Sequence, residues 1–132
     1  MSNGGTVGEG IPIIRVGNNL LVSLQGDLDD GAVLRLEDQI TREIVRTRAQ
    51  GTLIDVGGLA VVDSFIARVI ARMASMVKLL GAEAVVVGIQ PAVAITLVEL
   101  GVDMKHVHTA LNAGRGMALL ERLQGGGARA RS

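Results

Sequence analysis

A hydroxyl and a carboxylate stand side by side in the stretch Val61-Val62-Asp63-Ser64-Phe65-Ile66-Ala67-Arg68, between an apolar run and a periodic one. Upstream, residues 52–56 are apolar and β-branched and predict a buried strand, which we expect Gly57-Gly58 to end. Downstream, apolar residues recur at helical spacing and predict one buried stripe, made of Ile66, Val69 or Ile70, Met73, Val77 and Leu80. Ser64 is therefore predicted to lie at a helix N-terminus.

Two interpretations of Ser64 are open at this point. Ser and Asp are preferred N-cap residues, so Asp63-Ser64 could simply begin the helix, and the local pattern alone favours this interpretation. Alternatively, the unpaired N–H groups and the dipole of a helix N-terminus favour negative charge, so a phosphate on Ser64 would be tolerated. Arg68 lies one turn later, where it could pair with such a phosphate or with a partner's carboxylate.

The composition excludes several classes of protein. A length of 132 residues fits a single domain. The absence of Cys excludes disulfides and thiolate metal sites, and it agrees with a cytoplasmic location. The formal net charge is zero, with one Phe and no Trp or Tyr, so we expect no nucleic-acid partner.

Hydropathy points to protein partners. The N-terminal residues lack the pattern of a signal peptide, and no apolar run approaches membrane-spanning length, so no membrane association is expected. Yet 48% of the residues are hydrophobic, and the mean hydropathy is positive. Such a composition indicates apolar surface buried against other subunits, and we expect a homo-oligomer, at least a dimer.

Strands and helices alternate after an opening hairpin. Residues 11–16 and 20–24 predict the hairpin strands, and Asp29 or Asp30 is predicted to cap a helix. Its buried face would hold Val33, Leu36, Ile40 and Ile44. We then expect a strand at 84–88, a helix from Pro91 to Gly101, a weak strand around 106–108 and a last helix over 112–123. The order predicts an α/β fold, a mixed sheet with about four helices packed on it.

The chain ends are predicted to lie outside this domain. Residues 1–10 are Gly-rich and predicted to be disordered, so the domain would cover residues 11–123. Residues 124–132 contain three successive glycines and two arginines, and are predicted to form a flexible tail. Gly114 and Gly116 are expected to weaken the last helix by roughly 2 kcal/mol together.

Residues for catalysis or cofactor binding are nearly absent. The chain contains no phosphate-binding loop and no nucleophile elbow, so we expect neither an enzyme nor a cofactor. His106 and His108 share one face of a predicted strand without an acidic cluster beside them, so no metal is expected. Asp29, together with Asp30, is a candidate for a cation contact, and Asp55 is a candidate for a nucleotide contact. For Asp29 the capping role is favoured, and Asp55 is placed at a strand end.

Several segments together resemble the STAS domain family, which has the SpoIIAA-like fold of bacterial anti-anti-sigma factors. The resemblance rests on residues 26–30, on Asp63-Ser64-Phe65-Ile66-Ala67-Arg68 and on the longer segment from Gly88 to Gly101. It covers residues 11–123. Within the family, the chain is most similar to the small scaffold proteins of the stressosome, a bacterial stress-signalling complex.

The resemblance implies a scaffold and kinase substrate. Scaffolds of this kind assemble with larger RsbR-type STAS proteins into a cytoplasmic shell that holds an RsbT-type serine/threonine kinase. Under stress the kinase phosphorylates the serine matching Ser64 and leaves, and an RsbX-type phosphatase resets the site. Val62, Asp63, Phe65 and Arg68 would form the partner-contacting switch region. Two alternatives stay open: a soluble anti-anti-sigma factor that binds an anti-sigma kinase directly, and a nucleotide- or ligand-binding STAS module.

Overall fold

A computed structural model describes residues 11–102, 104 and 107–131, the last six of them by backbone only. The predicted disorder of residues 1–10 and the predicted placement of His106 lie outside the described residues. No helix in the described part of the chain is long and apolar enough to cross a membrane.

A five-stranded sheet forms the centre of the molecule. Its strands are β1 (Ile13–Val16), β2 (Asn19–Gly26), β3 (Gly51–Leu59), β4 (Glu83–Val87) and β5 (His108–Ala110), and they lie side by side in chain order. β1 and β2 form an antiparallel hairpin, whereas all later neighbours are parallel. The predicted mixed sheet opened by a hairpin is confirmed. The predicted weak strand begins later than expected, at His108.

Four helices cover the sheet, as predicted: α1 (Asp30–Thr47), α2 (Ser64–Leu79), α3 (Pro91–Glu99) and α4 (Ala113–Arg131). The side chains of α1 and α2 bury the larger hydrophobic core against one face of the sheet, and α3 contacts α2. On the opposite face α4 packs against β3, β4 and β5. A smaller core lies there, made of Leu53, Val85, Val87 and Leu120.

The periodicity of α1 and α2 predicts their buried faces well. The four predicted residues of α1 are all buried, and the Asp29 carboxylate caps the helix by accepting from the Ala32 N–H at 2.7 Å. In α2 the predicted stripe is buried except at Leu80, which is exposed because it follows the last helical residue. The Arg72 guanidinium donates two hydrogen bonds to the Glu37 carboxylate, at 2.7 and 2.8 Å, and so links the two helices. This hydrogen bonding, and then the charge of Glu37, raise the pKa of Arg72.

The expectation that Gly57-Gly58 ends a strand was wrong, since β3 continues to Leu59. The pairing of β2 with β3 shifts register between Ser23 and Gln25, and Gln25 then pairs with Gly58. A Cβ atom on Gly58 would lie 2.8 Å from Gln25 Cγ and 3.2 Å from the Leu24 carbonyl oxygen. Glycine is needed there because two strands approach closely, so it does not mark the end of the strand.

The predicted end of the last helix at Leu123 was also wrong, because α4 continues to Arg131. The Gln124 side-chain N–H donates to Asn19 Oδ1 at 2.7 Å and fastens α4 to the first residue of β2. The predicted tail therefore begins as helix. The predicted domain boundary at residue 123 stays a prediction. Successive glycines weaken a helix without forbidding it. The flexibility of the tail in solution stays a prediction.

Candidate phosphorylation site

The loop of residues 60–63 carries the chain from β3 into α2 and is held at two points. The Ala60 N–H donates to the Gly26 carbonyl oxygen at 2.8 Å. Val62 is half-buried and packs against the larger core. Its neighbour Val61 is 60% exposed, so the two valines divide between core and solvent. The sequence does not single out Val61, because two adjacent valines carry no signal for which of them is buried.

Asp63 is the N-cap of α2. Its backbone is extended, with φ −92° and ψ −178°, and its Oδ1 accepts from the Ile66 N–H at 2.9 Å. Its carbonyl oxygen accepts from the Ala67 N–H at 3.0 Å and closes the first helical turn. The structure therefore assigns the capping role to Asp63 and places Ser64 as the first residue inside the helix.

The Ser64 side chain is exposed. Among residues 11–102, 104 and 107–131, no side chain or backbone group forms a hydrogen bond with its hydroxyl. A hydroxyl in this situation is free to enter a kinase active site as the phosphoryl acceptor. The adjacent N–H groups of the first helical turn supply partial positive charge, which offsets part of the repulsion between a bound phosphate and Asp63.

The surroundings of Ser64 combine apolar surface with one cation. Phe65 is 36% exposed and lies next to Ser64 in the chain, while Val61 precedes it by three residues. Arg68 is exposed one turn along α2 and forms no ion pair with the residues that the structure describes. The predicted switch residues thus share one helix end, with Val62 turned toward the core and the others accessible.

The structure does not bring Asp29 and Asp55 together. Asp29 caps α1, which packs on one face of the sheet, whereas Asp55 lines a cavity of about 130 Å³ on the face of α4. Asp55 also lies inside β3 rather than at its end, and its Oδ1 accepts from the Gly57 N–H at 2.9 Å. Apolar side chains make up most of that cavity and no basic residue lines it, so it suits a phosphate group poorly. In the described part of the chain, no three His, Asp or Glu residues are grouped as metal ligands.

Comparison with known proteins identifies the family. A model of the STAS domain matches residues 11–114. The chain belongs to the STAS domain family. The predicted family and the predicted SpoIIAA-like fold are therefore confirmed. The unphosphorylated anti-sigma factor antagonist SpoIIAA shares the fold, with a TM-score of 0.64 over 88% of this STAS chain and 99% of SpoIIAA, at 13% identity.

Two other solved structures are more similar to this chain in sequence. RsbS of Moorella thermoacetica, carrying a serine-to-glutamate substitution, has a TM-score of 0.79 and 36% identity over 86% of this STAS chain and 97% of its own. A second structure describes the molecular architecture of the stressosome, a signal integration and transduction hub. One of its chains has a TM-score of 0.74 and 34% identity to this STAS chain. That match covers 86% of this STAS chain and 98% of the other.

Curated relatives of the STAS chain are larger proteins from Bacillus subtilis (strain 168). The RsbT co-antagonist protein RsbRA is 36% identical over 99 residues, which are 74% of this chain and 36% of the relative. The RsbT co-antagonist protein RsbRB is 28% identical over 102 residues, 76% of this chain and 37% of the relative. The STAS chain therefore spans little more than a third of the length of these relatives.

Proposed function

We propose that this STAS chain is a non-enzymatic scaffold subunit of a cytoplasmic, stressosome-type complex. It holds a serine/threonine kinase of the RsbT type and releases that kinase when Ser64 becomes phosphorylated. RsbR-type STAS proteins are its assembly partners, and an RsbX-type phosphatase removes the phosphate. The chain supplies the phosphoryl acceptor, and the kinase supplies the catalytic groups.

The observation that carries the proposal is the division of roles between two adjacent residues. Asp63 caps α2, so the exposed hydroxyl of Ser64 is not needed to hold the helix end. Phosphorylation can therefore add negative charge without breaking a hydrogen bond on which the fold depends. The positive end of the helix dipole favours that charge.

The relatives support a kinase as the partner. The names of RsbRA and RsbRB describe them as co-antagonists of RsbT. The matches with 34 and 36% identity to stressosome chains extend over nearly the whole of those chains. Kinase binding by this protein is consistent with the exposed side chains of Val61 and Phe65 near Ser64, because a partner protein can make apolar contacts with them.

Phosphorylation by an RsbT-type kinase with ATP tests the proposal directly. Mass spectrometry should locate the phosphate on Ser64, and Ser64→Ala should abolish its incorporation. Ser75 is the matched control, because it is an exposed serine in the interior of the same helix. Ser75→Ala should leave incorporation unchanged. Phosphate incorporation that persists in Ser64→Ala would refute the proposed acceptor.

An anti-anti-sigma factor that binds an anti-sigma kinase directly is the rival function. The SpoIIAA-like fold is common to both roles, so fold does not separate them, whereas the higher identity to stressosome chains favours the scaffold. Mass photometry of the chain mixed with an RsbR-type partner separates the two roles. The scaffold should enter a megadalton particle, and particles no larger than a dimer would favour the rival.

A further inference from the structure

A groove lies between α4 and the strand at the edge of the sheet. Among the described strands β5 pairs with β4 alone, so its outer side carries no further strand. Thr109 and Leu111 line the groove from the side of β5, and Arg115, Leu119 and Arg122 line it from the side of α4. Its volume is about 300 Å³. We call it the α4–β5 groove.

Two arginines give the α4–β5 groove a positive charge. Arg115 and Arg122 are exposed, and neither forms an ion pair with the residues that the structure describes. None of the described residues that line the groove is Asp or Glu. By contrast, Arg42, Arg46 and Arg72 each pair with a carboxylate of the chain. The two groove arginines therefore have guanidinium groups that are available to a ligand.

Helix stability does not account for Arg115. The residue lies in the first turn of α4, where its backbone N–H donates to Asn112 Oδ1 at 2.9 Å. The positive end of the helix dipole is located there, so a cation at this position is unfavourable for the helix. A cation that opposes the dipole and has no ion pair with the described residues points to a role in binding an anion.

The spacing of the two arginines defines the shape of the ligand. Arg115 and Arg122 are seven residues apart in α4, so they lie on one helix face, about 10 Å apart along the axis. Over that length a volume of about 300 Å³ leaves a cross-section of about 30 Å², too narrow for a helix about 10 Å wide. An extended peptide fits, and its side chains three residues apart are separated by about 10 Å. Two acidic residues three positions apart therefore match the two guanidinium groups.

Charge separates the α4–β5 groove from the end of the molecule that carries Ser64. Four exposed aspartates lie before or at the start of α1 and α2: Asp27, Asp29, Asp30 and Asp63. An acidic ligand is repelled by these aspartates and attracted by the groove. The formal net charge of zero thus hides two regions of opposite sign.

The apolar part of the α4–β5 groove is small. Leu111 is 72% exposed and Leu119 is half-buried, which suits one apolar side chain of a ligand. No aromatic residue is found among the described residues of the groove, so nucleic-acid bases have nothing on which to stack. The large apolar side chains in the described part of α4, Leu120 among them, pack toward the sheet, so they offer no apolar face to a membrane. These features favour a protein segment as the ligand.

We propose that the α4–β5 groove binds an extended, acidic segment of a partner protein. Two carboxylates of that segment pair with Arg115 and Arg122, and an apolar side chain between them contacts Leu111. The inference goes beyond the proposed function and does not depend on the kinase. Residues 1–10 of the chain itself contain Glu9 as their one acidic residue, so that segment supplies only one of the two carboxylates.

Nuclear magnetic resonance titration of the isotope-labelled chain tests the proposal. The probe is a blocked peptide, Ser-Asp-Leu-Ser-Asp-Ser, which has two carboxylates three residues apart and a leucine between them. It should shift the amide signals of residues 109–122 with a dissociation constant of about 1 mM or lower, because charge-assisted hydrogen bonds are strong. High salt should weaken this binding, since exposed charges are screened. The same peptide with Asn in place of both Asp residues should not bind.

Arginine variants identify the groups that bind the peptide. Arg115→Gln and Arg122→Gln should each raise the dissociation constant about tenfold. Arg42→Gln is the matched control, because it removes the same charge from α1, on the opposite face of the sheet, and it should leave the dissociation constant unchanged. Since Arg115 opposes the helix dipole, Arg115→Gln should not lower the melting temperature. Its weaker binding would then not come from unfolding.

Three results would overturn the proposal. One is the absence of peptide-induced shifts at about 5 mM peptide, well above the expected dissociation constant. Another is unchanged peptide binding in the folded double variant of Arg115→Gln and Arg122→Gln. The third comes from vesicles of phosphatidylglycerol and phosphatidylcholine: signals of residues 109–122 that respond to the vesicles but not to the peptide would assign the groove to a lipid surface. None of these results depends on phosphorylation of Ser64.

Discussion

At the scale of single residues, the start of α2 assigns the helix cap and the proposed phosphorylation site to two different side chains. The Asp63 carboxylate satisfies the Ile66 N–H at 2.9 Å, and Ser64 next to it contributes no described hydrogen bond from its side chain. Modifying a residue that caps a helix lowers the stability of the protein, because its side-chain oxygen already accepts a hydrogen bond from the first turn. The neighbouring position can accept a phosphate because the cap is supplied from elsewhere.

This division predicts unequal costs for two adjacent alanine substitutions. Asp63→Ala should lower the free energy of unfolding by about 1 kcal/mol, because the Ile66 N–H loses its acceptor. Ser64→Ala should change it by less than about 0.5 kcal/mol. Urea denaturation of both variants measures the difference. Equal losses would mean that Ser64 also contributes to the cap.

Thr52 has a buried hydroxyl without a hydrogen-bond partner among the described residues. Thr52→Val removes that unsatisfied group and keeps the side-chain shape, so it should stabilise the protein by about 1 kcal/mol. Thr41 is the control, because its hydroxyl donates to the Glu37 carbonyl oxygen at 3.0 Å. Thr41→Val should bring no gain in thermal denaturation. A loss of stability in Thr52→Val would indicate that its hydroxyl is hydrogen-bonded in solution.

At the scale of elements, two glycines of α4 differ in what surrounds them. A Cβ atom on Gly116 would lie 2.6 Å from Val87 Cγ1 and 2.7 Å from Leu53 Cδ1, so α4 sits directly on the sheet there. A Cβ atom on Gly114 would meet only Asn112 Oδ1, at 3.6 Å. Both glycines are expected to weaken α4. Close packing on the sheet accounts for glycine at position 116, and no such packing accounts for glycine at position 114.

The two positions should respond oppositely to alanine. Gly114→Ala should stabilise the protein by up to about 1 kcal/mol, through helix propensity and a less flexible unfolded chain. Gly116→Ala should destabilise it by about 1 kcal/mol, because crowding of Leu53 and Val87 outweighs the same gain. Parallel melting curves provide the comparison. A stabilised Gly116→Ala would show that the sheet side chains move aside easily.

At the scale of the whole molecule, the proposed switch changes charge and leaves the fold in place. Phosphorylation adds roughly −1.5 to −2 charges near pH 7 at the end of a helix that the core holds firmly. Ile66, Ala67, Val69 and Ile70, in the first two turns of α2, are all buried. The phosphorylated protein should therefore keep its circular dichroism spectrum and melt within a few degrees of the unmodified chain, corresponding to about 1 kcal/mol. A large loss of helical signal would indicate a switch that works by unfolding.

Release of the kinase should follow from the same charge. A phosphate buried in the kinase interface without a matched partner costs several kcal/mol, and about 3 kcal/mol weakens binding more than a hundredfold. The change should appear chiefly as faster dissociation. Surface plasmon resonance with immobilised kinase compares phosphorylated chain, unmodified chain and Ser64→Ala, which should hold the kinase. Equal dissociation constants for the first two would exclude release by charge at Ser64.

The sequence by itself determined the type and order of the elements, because periodicity is a local property. Spacings of three and four residues placed Val33, Leu36, Ile40 and Ile44 on one buried face of α1, and the structure confirms all four. The same reasoning located the helix that begins at Ser64 and the hairpin that opens the sheet. The family resemblance, which rests on short motifs, was likewise available from the residues alone.

Only the tertiary structure decided what depends on distances between residues far apart in the chain. Gly58 continues a strand because Gln25 lies beside it, and α4 runs past residue 123 with Gln124 bonded to Asn19. Asp and Ser are both good capping residues, so the sequence does not decide between Asp63 and Ser64. The backbone angles in the structure decide for Asp63. The exposure of Ile14 and Val16 in β1 also follows from where α4 packs, since α4 contacts β3, β4 and β5. Burial and close approach are properties of the assembled sheet and helices, so no local pattern encodes them fully.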